Sequence, residues 1–269
     1  MDTLDALRQR QQQTWATGDF SVVGGSQLIV GELLCDAAEL HAGQTVLDVA
    51  TGSGNTALAA ARRACQVTGI DFVPALLERA RERATAERLP ITFLDGEVEK
   101  IPFPDASFDA VLSTFGAMFA PDPQRAADEL LRVCRPGGKI GMANWTPEGM
   151  IGEMFRMVRT AAPPPVKIEP PEAWGIESEL RARFGDRISS LTVVRRGALF
   201  RHFTPKYWVE FMKTWFGPTI VTFRGLSPER QEALTEAMVG LATRYNQSGD
   251  ETLLARGEYL EVVAVKRSL

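Results

Sequence analysis

Apolar positions in this chain change period as they run. Across residues 44–143, short apolar and β-branched runs alternate with stretches of helical spacing. The runs Thr45-Val46-Leu47-Asp48-Val49, Gln66-Val67-Thr68-Gly69-Ile70, Ile91-Thr92-Phe93-Leu94, Ala110-Val111-Leu112-Ser113 and Lys139-Ile140-Gly141-Met142-Ala143 predict five strands. Ala127, Leu130, Leu131 and Cys134 fall at i, i+3, i+4 and i+7, one buried face of a helix over residues 125–134. Pro136-Gly137 then suits the centre of a type II turn. Residues 78–88 alternate charge sign at helical spacing and read as a solvated helix face. Strands alternating with helices predict an α/β layer with a mostly parallel sheet.

Both flanks are more helical. Leu28, Ile29, Leu33, Leu34, Ala37 and Leu40 predict a helix over residues 26–40, broken by Gly43. Residues 14–20 are too mixed for a core element. Past Trp145, the spacing of Met150, Ile151, Met154, Phe155 and Val158 predicts an amphipathic helix. Pro163-Pro164-Pro165 stops it, and Pro170-Pro171 keeps the next stretch extended. A sixth strand is expected over residues 188–194. Thr204-Pro205 and Ser227-Pro228 each read as an N-cap followed by proline at the first helical position. The helices they open carry Trp208, Phe211 and Met212, then Leu234, Met238 and Leu241. Residues 258–266 read as a closing strand.

The first strand runs into Gly52-Ser53-Gly54-Asn55, and the second ends on Asp71. Glycines let backbone approach a ligand closely, and the acidic residue sits where a carboxylate accepts from both hydroxyls of a ribose. This is a nucleoside-binding βαβ half. Gly52 to Ala57 also fits G-x-G-x-x-G/A, so a dinucleotide is compatible with the loop alone. No Gly-Lys-Ser/Thr follows, which excludes a P-loop.

Composition narrows the partners. Over 269 residues the net charge is −4, which gives no electrostatic reason to expect nucleic acid. Cys35, Cys65 and Cys134 are scattered and match no metal or disulfide spacing. Residues 1–13 are polar and lack a signal-peptide core. No uninterrupted apolar window reaches the length of about 18 residues that a membrane span needs. The chain therefore reads as cytoplasmic.

Three further runs sharpen the picture: an acidic residue after strand three at Glu97, then Pro102-Phe103-Pro104-Asp105-Ala106-Ser107-Phe108-Asp109, then Leu131-Arg132-Val133-Cys134-Arg135-Pro136-Gly137-Gly138. Over residues 44–145 the chain resembles the class I S-adenosylmethionine (SAM) methyltransferases, particularly the small-molecule branch containing the ubiquinone/menaquinone C-methyltransferases. The resemblance implies a Rossmann-like sheet of about seven strands, mostly parallel with an antiparallel last strand, plus a helical cap. It implies a helical lid over residues 1–43, with Trp15 or Phe20 closing it. The SAM core spans 44–145, cap insertions around strand six span 146–257, and a closing edge strand spans 258–269.

The implied cofactor is SAM. Asp48 would orient the glycine loop or meet the methionyl ammonium, beside Ala50, Gly52 and Gly54. Asp71 would hold the ribose and Phe72 would pack on adenine. Glu97, with Asp95 as competitor, would accept from the adenine amino group, and Val98 would offer its N–H. Ser113 leads to the methyl end, where Phe115, Met118, Phe119, Trp145 and Trp208 would wall an acceptor pocket. Quinone methyltransferases often carry histidine near Met118 and Phe119; its lack here implies a greasier floor. If a base is used, His202, Tyr207 and Glu210 are the candidates, with His202 and Tyr207 preferred. The expected function is methyl transfer to a small, partly apolar acceptor. The alternatives are a nicotinamide-dependent oxidoreductase, opposed by the absence of a Tyr-x-x-x-Lys pair, and a SAM-binding protein without transfer.

Overall fold

The computed structural model describes residues 3–164 and 168–268. Pro165 of the expected proline stop lies outside the described residues. The chain opens with α1 (Thr3–Ala16), α2 (Phe20–Gly24) and α3 (Leu28–Ala37). The alternating half follows: β1 (Thr45–Val49), α4 (Asn55–Arg62), β2 (Gln66–Asp71), α5 (Pro74–Glu87), β3 (Ile91–Asp95), β4 (Phe108–Thr114), α6 (Pro123–Val133) and β5 (Cys134–Trp145). Then come α7 (Met150–Ala161), α8 (Glu177–Phe184), β6 (Ile188–His202), α9 (Pro205–Trp215), α10 (Gly217–Arg224), α11 (Pro228–Arg244) and β7 (Leu253–Lys266). The strands form one sheet in the order β3-β2-β1-β4-β5-β7-β6. β1 to β5 pair in parallel, and β7 is antiparallel to both neighbours. This is the expected Rossmann-like sheet with an antiparallel last strand. Its order reverses between β1 and β4, which opens a crevice at the strands' carboxyl ends.

The central strands are apolar on both faces because helices cover both. Val46, Leu58, Ala60 and Leu112 belong to one buried cluster. Leu47, Val49, Val111, Leu130 and Ile140 belong to the other. Each face supplies burial that an isolated strand could not, so continuous apolar runs settle in the middle of the sheet. The three cysteines are free and buried, as expected of small apolar residues.

β7 is not the edge strand that the resemblance implied. It lies one position inside, and β6 forms the edge. Val262, Val263, Ala264 and the nearby Leu260 are all buried in β7, whereas Ser189, Ser190 and Arg195 of β6 are exposed and Arg196 is half-buried. The more apolar strand takes the doubly covered place. β6 is also longer than the expected 188–194, because pairing with β7 continues to His202.

The expected cap divides. α7 packs on α10 and α11, while α8 returns to lie beside α6 against the sheet. Pro171 opens one 3-10 turn (Pro171–Gly175) instead of staying extended, which seats Trp174 in the core. Thr204 caps α9 by accepting from Tyr207 N–H at 3.0 Å. The expected helix over 26–40 is shorter at both ends: it is α3, Leu28–Ala37, and a 3-10 turn (Gly25–Gln27) joins it to α2. Taken together, Phe20–Ala37 is long and apolar enough to cross a membrane by length and composition. Its acids are nonetheless engaged, Glu32 with Arg62 and Arg63 and Asp36 with Arg63.

Candidate functional site

The glycine loop is held from both ends. After β1 the backbone turns through positive φ at Ala50 (+53°) and Gly52 (+55°). Asp71, 4% exposed at the end of β2, accepts from Gly52 N–H at 2.8 Å and from Val73 N–H at 2.9 Å. One carboxylate thus ties the loop to the next strand's end. Asp48 accepts from the Thr51 hydroxyl at 2.5 Å and from Ala57 N–H at 2.9 Å, which joins the loop to the first turn of α4. Burial pushes the Asp48 carboxyl up to about 7 and that of Asp71 up to about 6, against the hydrogen bonds that favour their ionised forms. Arg83, expected on a solvated face, instead donates to Ser53 O at 2.6 Å and Asn55 Oδ1 at 2.7 Å.

A cleft opens above this loop. Of the expected cofactor residues, Asp48, Ala50, Gly52, Asp71, Phe72, Glu97 and Val98 line it. Glu97, not Asp95, faces the cleft; its side chain is 48% exposed at the mouth, 3.9 Å from Arg8 Nε. Two expected members stand outside. An added Cβ on Gly54 would meet Ala80 Cβ at 3.2 Å, so that glycine serves the approach of α5. Ser113 Oγ donates to Val49 O at 2.8 Å and accepts from Ala117 N–H at 2.9 Å, so it braces the loop after β4.

The mouth is roofed by α1, whose bounds within the expected helical lid the sequence reading did not give. Arg8 pairs with buried Glu99, Gln11 Nε2 donates to Phe119 O at 3.0 Å, and Gln12 Nε2 donates to Phe72 O. Trp15 meets Phe119 edge-on with ring centroids 4.9 Å apart. Residues 8, 11, 12 and 15 follow helical spacing, a signal present in the sequence but carried mainly by polar residues.

A second, apolar chamber adjoins the cleft. Trp15, Phe20, Gln27, Phe115 and Phe119 line both spaces. Trp145 lines the chamber, stacked on Phe115 at 3.8 Å between centroids. The other walls come from α7 (Ile151, Met154, Phe155), Phe200, Met212 and Phe216, none of which the sequence reading named for this role. Four expected residues are elsewhere. Met118 and Trp208 are buried in the core and line neither space. His202 ends β6 against Phe211, where burial holds its pKa below the ordinary range. Tyr207 is half-exposed beside Phe203, and neither it nor His202 lines the cleft or chamber. No cluster of candidate metal ligands occurs among the described residues.

The cleft suits a nucleoside carrying an amino-acid tail. It offers a buried carboxylate for a ribose diol, Glu97 and the Val98 backbone for a base, and Asn55 and Thr56 at the first turn of α4 for a tail. Residues 47–142 match the family model described as Methyltransferase domain. The chain is 39% identical to uncharacterized protein Rv1403c of Mycobacterium tuberculosis, over 95% of this chain and 93% of that protein. It is 42% identical over 121 residues to demethylmenaquinone methyltransferase of Deinococcus radiodurans, which covers 44% of this chain and 50% of that one. YcgJ of Bacillus subtilis shares the fold, with a TM-score of 0.62 at 21% identity over 88% of this chain and 97% of that chain. These likenesses remove the nicotinamide alternative that the glycine loop alone left open. With the site, the matched domain and the fold in agreement, the chain belongs to the class I SAM-dependent methyltransferases, and SAM is its cofactor.

Proposed function

We propose that the protein transfers the methyl group of SAM to a small, partly apolar acceptor seated in the aromatic chamber. The observation that carries this reading is the shared wall: Phe115 and Phe119 border both the cofactor cleft and the chamber. In this reading Asp71 accepts from the ribose hydroxyls. Glu97 accepts from the adenine amino group, and Val98 N–H donates to the ring. Residues 1–43 act as a lid through α1, and Trp15 and Phe20 close the passage. The cap helices α7 and α9, with Phe216 between α9 and α10, supply acceptor walls. When bound, the cofactor supplies an electrophilic methyl group. The chain's own task is to align the acceptor and exclude water, which aromatic walls do well. His202 and Tyr207 lie outside both spaces, so catalysis rests on positioning rather than on either as base. The reaction belongs in the cytoplasm, where small acceptors and SAM meet.

The test is to incubate the enzyme with methyl-labelled SAM and a whole bacterial lysate. Label is expected in the solvent-extractable small-molecule fraction. Phe119→Ala should lower that incorporation about tenfold while S-adenosylhomocysteine affinity stays within about threefold, a difference near 0.65 kcal/mol. Label confined to the protein or nucleic-acid fraction would overturn the reading.

The raised carboxyl of Asp71 adds a pH dependence. Its folded pKa, about 6, lies above the ordinary 3.8. The stability linked to its protonation is therefore complete below about pH 4 and is lost as pH rises through 6. Cofactor binding runs the other way, because the ionised form accepts from the ribose. S-adenosylhomocysteine affinity is expected to fall about tenfold from pH 8 to pH 5, one unit below the pKa. Calorimetry at the two pH values checks this; equal affinities would separate Asp71 ionisation from binding.

A further inference from the structure

Gln27 stands where the cofactor cleft meets the apolar chamber. It lines both spaces. It is the only carboxamide, hydroxyl or charged side chain among the described residues lining the chamber. Only 7% of it is exposed, and among the described residues its carboxamide has no hydrogen-bond partner. The rest of the side chain is packed, and its unpartnered amide opens onto the cavity, where a ligand group can complete it. The local fold explains the placement. The 3-10 turn Gly25–Gln27 breaks the run between α2 and α3, and Gln27 takes φ −116° and ψ 9° at the junction. Phe20 and Val23 of α2 lie on the same chamber wall.

We infer that Gln27 is an acceptor-binding residue that recognises a single hydroxyl or carbonyl oxygen on a flat, otherwise apolar ring. This rests on the reading that the chamber holds the acceptor. A carboxamide is neutral and offers both donors and an acceptor, so it pairs with an oxygen in either role. The other chamber walls are aromatic or aliphatic and complement a planar ring. Among the described residues, none lining the chamber is a carboxylate that could pair with a cationic ammonium, which sets hydroxylated or keto aromatic compounds apart from amines. Gln27 also borders the cleft, so the recognised oxygen lies beside the methyl-transfer end of the site.

The experiment uses the intact enzyme saturated with S-adenosylhomocysteine, so that the cofactor cleft is filled. 1-Naphthol and naphthalene are titrated separately, and tryptophan fluorescence reports binding because Trp15 and Trp145 line the chamber. The same titrations are run on Gln27→Leu and Gln27→Met, which preserve bulk but remove the amide. The ratio of 1-naphthol to naphthalene affinity is expected to fall about tenfold in both variants, the scale of one hydrogen bond in a dry site. S-Adenosylhomocysteine affinity should stay within about threefold. An unchanged ratio, with both probes still bound, overturns the role of Gln27 and leaves the chamber standing. A cofactor affinity weakened about tenfold assigns Gln27 to the cofactor and overturns the inference. Binding of neither probe to the wild type overturns the chamber and the inference together.

Discussion

Asp71→Ala is expected to weaken S-adenosylhomocysteine binding by two orders of magnitude or more. In the proposed complex the carboxylate accepts from the ribose, and hydrogen bonds to a charged group contribute about 1.5–3 kcal/mol each. Even one such loss is about tenfold to hundredfold in dissociation constant. The structure adds a second cost. Asp71 also holds Gly52 N–H at 2.8 Å and Val73 N–H at 2.9 Å, so alanine frees the loop that shapes the cleft floor. The ordering of that loop would then have to accompany binding. Folding itself should survive, because ionising this buried carboxyl is unfavourable, as its pKa of about 6 shows. Asp71→Asn keeps an acceptor oxygen and should fall between wild type and alanine. Titration calorimetry, with circular dichroism as the folding control, measures the effect. An alanine variant within threefold of wild type would place the ribose contact on another residue.

Trp208→Ala is expected to lower stability by about 3–5 kcal/mol, the usual cost of removing a buried tryptophan. Trp208 is 0% exposed, on the inner side of α9, in the same cluster as Met212 and Met238. Both its burial and its position outside the cleft and chamber make it a packing residue, not the pocket wall that the sequence suggested. At about 2–4 °C per kcal/mol for a chain of this size, the melting temperature should fall by roughly 6–20 °C. Trp208→Phe should cost less, because the indole N–H makes no hydrogen bond that phenylalanine would lose. Differential scanning calorimetry reads this directly. A normal melting temperature together with changed acceptor preference would return Trp208 to the pocket.

The parallel half was legible in the chain because its signals are local. Strands β1 to β5 announce themselves by apolar runs, and the stripe of Ala127, Leu130 and Leu131 marks the buried face of α6. Asp71 was readable for the same reason: a strand end, a glycine turn and a fixed spacing place its carboxylate before any long-range contact forms. The inner position of β7 was also written in its apolar run, although the resemblance pointed to the edge. Other assignments needed the folded chain. Glu97 and Asp95 are two residues apart, and only the path of the backbone after β3 turns one into the cleft. Ser113 and Gly54 carried plausible ligand chemistry yet serve as a brace and a packing gap, because neighbours from β1 and α5 claim them. α1 is polar and weakly amphipathic alone, and its contacts with Glu99, Phe72 and Phe119 are made only when it lies across the cleft. The apolar chamber joins Phe20, Phe119, Trp145, Phe200 and Phe216, residues separated by up to most of the chain. Local sequence determines how backbone turns and which face is apolar; a cavity exists only where distant faces meet without filling the space between them.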